Sequence, residues 1–211
     1  MADNYLENRM EELKGGRPKV VRNNKSLDTL LKRNRSYRGY DAGVPMNVEK
    51  LKEILSAVTL VPSGMNAQSL RYRLVPSEEA PLLHPLVKLG AALPQEHLPH
   101  PGEEPQGYIV ICSERKEDKV VDIDLGIAAQ SILLKAVDMG LNGIVILNFN
   151  ADAVREALRL PLEPLALIGL GKGIERIFLL PAHKGDSLKY YRKDGVHYVP
   201  KLTVEDVIIE S

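Results

Sequence analysis

The chain has 211 residues, of which 44% are hydrophobic and 27% charged, a profile that indicates a single globular domain and excludes a disordered one. Its 28 basic and 28 acidic side chains balance, so charge gives no reason to expect nucleic acid or a membrane as partner. No apolar run reaches the ~18 residues of a membrane span. A single cysteine, Cys112, excludes an internal disulfide. With a polar start that lacks a signal-peptide segment, this predicts a cytoplasmic protein.

The first half of the chain is predicted to be mainly helical. Apolar residues recur at helical spacing after Asn47, a good helix-capping residue, so residues 47–60 are predicted to form an amphipathic helix. The other elements expected in this half are short helices at 4–14 and 26–34, a strand at 71–75, a surface helix at 77–89 and a loop at 97–105.

The second half contains the most informative helix, predicted over residues 122–139. It is apolar on nearly every face, so a second subunit is expected to cover one side of it in a domain this small. Asp122 and Asp124 suit its positive N-terminal end better than they suit a catalytic pair. The other elements expected in this half are strands at 108–112 and 165–170, an apolar segment at 144–147, and helices at 151–158 and 204–209. The class expected is α+β, a three-layer α-β-α sandwich around a mainly antiparallel sheet.

Most motifs with known chemistry are missing from the sequence. The five histidines lack metal-ligand spacing, so no metal site is predicted. The glycines from Gly169 to Gly173 follow a strand but do not match the GxGxxG pattern of dinucleotide-binding loops, so they are interpreted as a tight turn. Cys112 lies in an apolar strand and is expected to be a buried thiol.

Two polar segments remain as candidate binding residues. In the first, Arg35 and Arg38 are three residues apart, would share a helical face and form with Ser36 an anion-binding set, or else simply a basic helix end. The second is the loop Pro62–Leu70, whose polar side chains can both donate and accept hydrogen bonds. Its alternative role is that of a capping loop.

Together these segments resemble the signatures of the nitroreductase family. The first is an Arg-Ser-x-Arg box followed by an aromatic residue and aspartate, at 35–41, and the second is Pro-Ser-x-x-Asn-x-Gln, at 62–68. A third likeness covers the long helix from Asp124 to Ala136 and the following Gly140-Leu141. Residues 4–7, 190–192 and 199–201 resemble a branch common in anaerobic bacteria.

The resemblance implies an FMN-binding homodimer with the flavin between the subunits. It also implies one domain over residues 1–211, whose extensions at 1–25 and 172–211 pack on the partner. By this resemblance Arg35 and Ser36 would contact the phosphate or the ribityl chain, and Arg38 would stabilise the negative charge of reduced flavin. Lys201, or alternatively Arg192, would reach the phosphate. The remaining cofactor-binding residues implied are Pro62, Ser63, Asn66 and Gln68 in the polar loop, and Val145, Ile146, Leu147 and Asn148 along one ring face.

The activity implied is ping-pong reduction of a nitro compound or quinone, with NADH or NADPH as hydride donor and the flavin carrying the chemistry. A flavin-binding protein without nicotinamide turnover, such as a carrier or flavin-consuming enzyme, and an interaction module without cofactor are the alternatives. Three departures from the family pattern affect the site: Asn34 replaces an arginine, Ser69 and Leu70 replace a proline and an aromatic residue, and tryptophan is absent.

Overall fold

The structure, a computed structural model, describes residues 25–209. The helix expected at 4–14 and most of the N-terminal extension lie outside these residues. The main sheet has four antiparallel strands in the order β1-β2-β4-β3. Their bounds are Leu70–Val75 (β1), Gly107–Ser113 (β2), Asn142–Ile146 (β3) and Pro164–Gly171 (β4). The strands β1, β2 and β4 agree with the predicted strands within one residue at each end, and β3 includes most of the apolar segment expected at 144–147.

The helices were also largely anticipated from periodicity. Their bounds are Leu27–Arg33 (α1), Val48–Leu55 (α2, continued by a 3₁₀ turn at Ser56–Leu60), Lys119–Asp138 (α3), Ala151–Ala157 (α4) and Val204–Val207 (α5). The helix α3 begins three residues earlier than predicted, because the Asp118 side chain accepts hydrogen bonds from the amides of Val120 and Val121. The capping carboxylate is therefore that of Asp118. Asp124 lies in the second turn, is buried, and is not a helix-start acid.

Helices cover both faces of the main sheet, which confirms the three-layer α+β class. On one face, α2 and α3 bury Leu51, Ile54 and Ile132 against the strands. On the other face, two 3₁₀ turns and α4 bury Leu83 and Val154. Apolar side chains on both faces of β2 and β4 explain why these two central strands are buried along almost their whole length.

One helix prediction is wrong. Residues 77–89 form two separate 3₁₀ turns, Ala80–Leu82 and His84–Leu86, instead of one surface helix. Each turn has a proline near its start, Pro81 and Pro85, and a proline inside an α-helix would clash with the preceding turn. The buried state expected for Cys112 is confirmed. No helix within residues 25–209 is long and apolar enough to cross a membrane.

A second, smaller sheet was not predicted. It contains β5 (Arg176–Ala182), β6 (Tyr191–Lys193) and β7 (Val196–Leu202) in the order β5-β7-β6. The strands β6 and β7 form a hairpin around Asp194 and Gly195, both with positive φ. We call β5, β6 and β7 the C-terminal sheet. It packs beside the first candidate segment and forms part of the site.

Candidate functional site

The first candidate segment, residues 33–41, which we call the arginine segment, is mainly extended where the sequence predicted a helix end. The helix α1 ends at Arg33, and Asn34 has an extended backbone. Ser36 then forms a parallel bridge with Gly143 of β3, and the Tyr37 amide donates to the Gly143 carbonyl at 3.2 Å. The prediction that Arg35 and Arg38 share a helical face is therefore wrong. They nevertheless border the same cavity, because the segment follows the edge of the main sheet.

Arg38 is held inside the protein by contacts on several sides. Only 8% of the residue is exposed, and its Nη1 donates to the Ser36 carbonyl at 2.9 Å. Its guanidinium carbon lies 5.1 Å from the centre of the Tyr190 ring, within cation–π range. The Nε atom is buried and has no hydrogen-bond partner within residues 25–209. A buried, unpartnered guanidinium nitrogen is costly, so Arg38 is a candidate for binding a ligand.

Glu175 connects this segment to the C-terminal sheet. Its carboxylate accepts hydrogen bonds from the backbone amides of Arg38 and Gly39, the latter at 3.3 Å. The same carboxylate pairs with the guanidinium of Arg192 on β6, and both side chains are largely buried. Because Arg192 is engaged in this pair, Lys201 is the better placed of the two tail cations predicted to reach a phosphate.

The arginine segment and the C-terminal sheet enclose a cavity of about 380 Å³, which we call the cationic cavity. Three of its lining residues are cationic: Arg35, Arg38 and Lys201. None of the three forms an ion pair within the described part of the chain. The other lining residues are polar without an acidic group, or apolar: Asn34, Ser36, Gln130, Leu133, Val145, Ile177, Tyr190, His197 and Val199. Three cations without a carboxylate in the wall suit a polyanionic group such as a phosphate.

His197 is a buried wall residue that the sequence did not single out. It lies on β7, is 4% exposed, and its ring centre is 5.1 Å from that of Tyr190. Burial, together with the positive charges of Arg38 and Arg192, lowers the pKa of His197 to about 4. The imidazole is therefore neutral near pH 7. The sequence analysis missed His197 because β7 was not predicted. Without that strand, nothing indicated that the His197 side chain points into the protein.

The polar loop has a constrained backbone. Met65, Asn66 and Gln68 have positive φ values of 52°, 54° and 46°, which side chains other than glycine rarely adopt. Ser63 Oγ accepts from the Gln68 amide at 3.1 Å, and Gln68 Nε2 donates to Asn66 Oδ1 at 3.1 Å. These contacts fix the loop in a conformation that costs free energy, a feature that is frequent at binding sites.

The loop is anchored to α3 by a close approach at Gly64. The Gly64 amide donates to the Asp124 carboxylate at 2.8 Å, and a Cβ at Gly64 would lie 2.3 Å from Val120 Cγ1. Only glycine permits this contact without movement. The buried Asp124 is thus a residue that positions the loop, a role the sequence reading as a helix-start acid had missed.

Within one chain the two segments do not meet. Pro62, Ser63 and Gln68 border a second cavity of about 150 Å³, together with Asp124 of α3, whereas the cationic cavity touches α3 at Gln130 and beyond. Ala128 also borders the second cavity, so the two contact regions come within two residues along α3, about 3 Å of rise. Residues two apart on a helix do not face the same side, so the two cavities lie on different sides of α3. Asn66 borders neither cavity, and Met65 beside it is 85% exposed.

The four residues expected along one face of the flavin ring do not lie together on one side of the main sheet. Val145 borders the cationic cavity, whereas Ile146 points to the opposite face of the sheet and is buried in the core there. Leu147 and Asn148 follow the end of β3, and Leu147 is 69% exposed. The Asn148 carbonyl accepts a hydrogen bond from the Lys88 amide at 2.9 Å. Both residues border a cavity other than the cationic cavity.

Asn34, which departs from the family pattern, is engaged in the wall of the cationic cavity. Its side-chain amide donates to Gln130 Oε1 on α3 at 3.2 Å, and the residue is 8% exposed. Asn34 therefore links the arginine segment to the long helix. No group of three or more metal-ligating side chains occurs among residues 25–209.

Comparison with known proteins identifies the family. Residues 31–172, about two thirds of the chain, match the model of the nitroreductase family, so the chain belongs to this family. The matched region contains the arginine segment, the polar loop and α3, and it ends before the C-terminal sheet. No curated protein sequence matches the chain.

Solved structures of the family have the same fold. A nitroreductase family protein from Streptococcus pneumoniae TIGR4 aligns over 88% of this chain and 100% of its own, with a TM-score of 0.63 and 18% identity. An FMN-dependent nitroreductase from Clostridium difficile R20291 aligns over 70% of this chain and 87% of its own (TM-score 0.55, 26% identity). A protein from Exiguobacterium sibiricum 255-15, solved in complex with FMN, covers 72% and 90% respectively (TM-score 0.58, 19% identity).

Proposed function

We propose that the protein is an FMN-dependent oxidoreductase that uses NADH or NADPH to reduce a small organic oxidant such as a nitro compound or a quinone. Membership of the nitroreductase family and the FMN named for two structural relatives support the cofactor. The observation that carries the proposal is the cationic cavity, in which Arg35, Arg38 and Lys201 converge with no carboxylate among the described lining residues.

The residues present fit the phosphate of FMN. Arg38 Nε and His197 Nδ1 are buried polar atoms without hydrogen-bond partners in the described structure, as expected of a wall completed by a ligand. Arg35 and Lys201 would hold the phosphate from opposite walls of the cavity, and Ser36 would contact the phosphate or ribityl chain. Bound flavin supplies hydride transfer, and the protein supplies position and electrostatics.

A flavin held by phosphate contacts alone would bind weakly. Three charged hydrogen bonds at about 2 kcal/mol each fall short of the roughly 8 kcal/mol of micromolar binding. The ring must therefore be buried as well. In a single chain the polar loop borders a different cavity from the arginines, through Pro62, Ser63 and Gln68.

We infer that a second copy of the chain completes the site in a homodimer. The polar loop of one copy would then cover the flavin whose phosphate lies in the cationic cavity of the other. Exposed apolar side chains near the loop and on α3 support this assembly, because Met65 is 85% exposed and Ile123 53% exposed. Amide side chains on the loop suit the ribityl hydroxyls and the pyrimidine edge, where donors and acceptors alternate.

The proposal is tested by the visible spectrum of the purified protein before and after anaerobic NADH or NADPH. The result expected is a yellow protein whose flavin absorption is bleached by one nicotinamide and restored by a nitro compound or quinone over many cycles. A yellow protein that neither nicotinamide bleaches would contradict the reductase and leave the flavin-binding alternative. A colourless protein that ignores added FMN would contradict both.

A further inference from the structure

His197 lies where the cationic cavity meets the C-terminal sheet, and beyond its unpartnered ring nitrogen it has so far been given no contact with the ligand. It belongs to residues beyond the family match, which ends at residue 172. The side chain is more than nine-tenths buried, its Nδ1 has no partner among residues 25–209, and it lines the cavity with Arg38 and Lys201. A neutral imidazole always has one N–H to donate and one nitrogen to accept.

The charges around His197 are almost all positive. Arg192 is its cross-strand neighbour on β6, Arg38 approaches from the arginine segment, and Lys201 follows on the same strand. Its neighbour on β5, Ile177, is apolar, and Tyr190 offers a ring face. Glu175 is a carboxylate close to this group, and it is engaged by Arg192 and by two backbone amides.

We propose that His197 is a ligand-binding residue of the cationic cavity, which donates a hydrogen bond to the phosphate of the bound ligand and takes up a proton when that phosphate enters. This inference rests on the proposed function. In the empty cavity the arginines disfavour imidazolium. A phosphate dianion placed among Arg35, Arg38 and Lys201 reverses the local charge and favours it.

The sign of the pH effect follows from this reversal. The pKa of His197 without ligand is low, about 4, because of burial and the two arginines. Phosphate binding raises this pKa, so binding and proton uptake favour each other as the pH falls toward the raised value. The second ionisation of the phosphate itself, near pH 6, opposes this trend, but it acts equally on wild-type protein and variants.

The experiment measures the dissociation constants of FMN and riboflavin, which differ only in the phosphate, for wild type, His197→Phe and His197→Gln. Phenylalanine keeps a ring against Tyr190 but removes the hydrogen bond, so FMN affinity is expected to fall about tenfold while riboflavin affinity stays within about twofold. Glutamine keeps a donor, so at pH 7.5 it is expected to restore most of the FMN affinity. His183→Gln is the matched control, because the His183 side chain is 72% exposed.

The pH profile separates ligand contact from a merely structural role. Between pH 7.5 and 5.5, the ratio of the FMN dissociation constants of His197→Gln and wild type is expected to rise several-fold, because only wild type can take up the proton. A constant ratio, or equal losses for FMN and riboflavin in His197→Phe, would overturn the inference and leave the proposed function intact. Wild-type protein that binds no FMN would instead contradict the proposed function itself.

Discussion

Gly64 and Asp124 show how two single residues determine the position of the polar loop. The 2.8 Å hydrogen bond from the Gly64 amide to the Asp124 carboxylate fixes one end of the loop on α3. The absence of a side chain at Gly64 allows the backbone to lie against Val120. The positive φ angles that follow, at Met65 and Asn66, are tolerated because both ends of the loop are held.

Gly64→Ala is therefore expected to displace the loop. The added Cβ would lie 2.3 Å from Val120 Cγ1, so the chain must shift, at a cost of about 1–3 kcal/mol in the free energy of unfolding. FMN and riboflavin should lose affinity to a similar extent, because the loop is proposed to contact the ribityl chain and ring. Denaturant unfolding and flavin titration measure both effects.

A second substitution provides the control for this change. Val120→Ala removes the clashing methyl groups, so the double variant Gly64→Ala, Val120→Ala should recover much of the flavin affinity. If the single variant binds both flavins like wild type, the loop takes no part in the site. If the double variant recovers nothing, steric displacement is the wrong explanation for the loss.

The C-terminal sheet is the element that contributes most to the cationic cavity beyond the family match. It contributes Ile177, His197, Val199 and Lys201, and Tyr190 lines the cavity from just before β6. The buried pair of Glu175 and Arg192 connects the sheet to the arginine segment, since Glu175 also accepts hydrogen bonds from two backbone amides there. The sheet and the arginine segment should therefore be stabilised together.

Glu175→Gln tests this connection. Loss of one charge leaves Arg192 buried without its partner, and we expect the free energy of unfolding to fall by about 3 kcal/mol. Amide hydrogen exchange should become faster in β6 and β7 and in the arginine segment. The matched control is Glu114→Gln, whose partner Arg71 is half exposed, so its loss should cost at most about 1 kcal/mol. Equal effects of the two substitutions would contradict the connecting role.

Sequence patterns were sufficient for the main sheet and its helices but not for the C-terminal sheet. The central strands are short apolar runs and α2 is amphipathic, so periodicity located them. In β5–β7 apolar and charged residues mix without clear alternation, and several β5 side chains are exposed. The one usable signal was Asp194-Gly195, a dipeptide typical of two-residue hairpin turns.

The candidate site was predicted in part for a similar physical reason. Spacing located the arginine segment and the polar loop, and the structure places both at cavities. Residue spacing could not predict that the helix ends at Arg33, before Arg35. Nor could it predict that the two segments border different cavities. His197, Glu175 and Asp124 were missed because their roles depend on tertiary contacts between distant parts of the chain.

At the scale of the whole molecule, a single chain exposes apolar surface on α3, the longest helix within residues 25–209. Ile123 is 53% exposed on α3, although much of that helix is buried in the core. Specific dimers bury about 800 Å² per partner, and exposed apolar side chains of this kind form the centres of such interfaces. The proposed homodimer would cover this helix and bring a polar loop to each cationic cavity.

Ile123→Asp is expected to weaken the homodimer by placing a charge in the interface. Sedimentation equilibrium should show a shift toward monomer of at least tenfold in the dissociation constant, with a matching loss of bound FMN. Leu82→Asp is the control, because Leu82 is 50% exposed on the opposite layer of the sandwich. A wild-type protein that is monomeric, or an Ile123→Asp dimer as stable as wild type, would contradict this assignment of the interface.

The central claim is that one flavin contacts Arg38 of one copy and the polar loop of the other. The most direct measurement is the FMN stoichiometry of purified heterodimers between Arg38→Met and the double variant Asn66→Asp, Gln68→Glu. Each homodimeric variant should bind FMN poorly. By two-fold symmetry the heterodimer retains one intact site, so we predict about one FMN per heterodimer, roughly half the wild-type capacity. A heterodimer that binds no more FMN than the variant homodimers would contradict the claim.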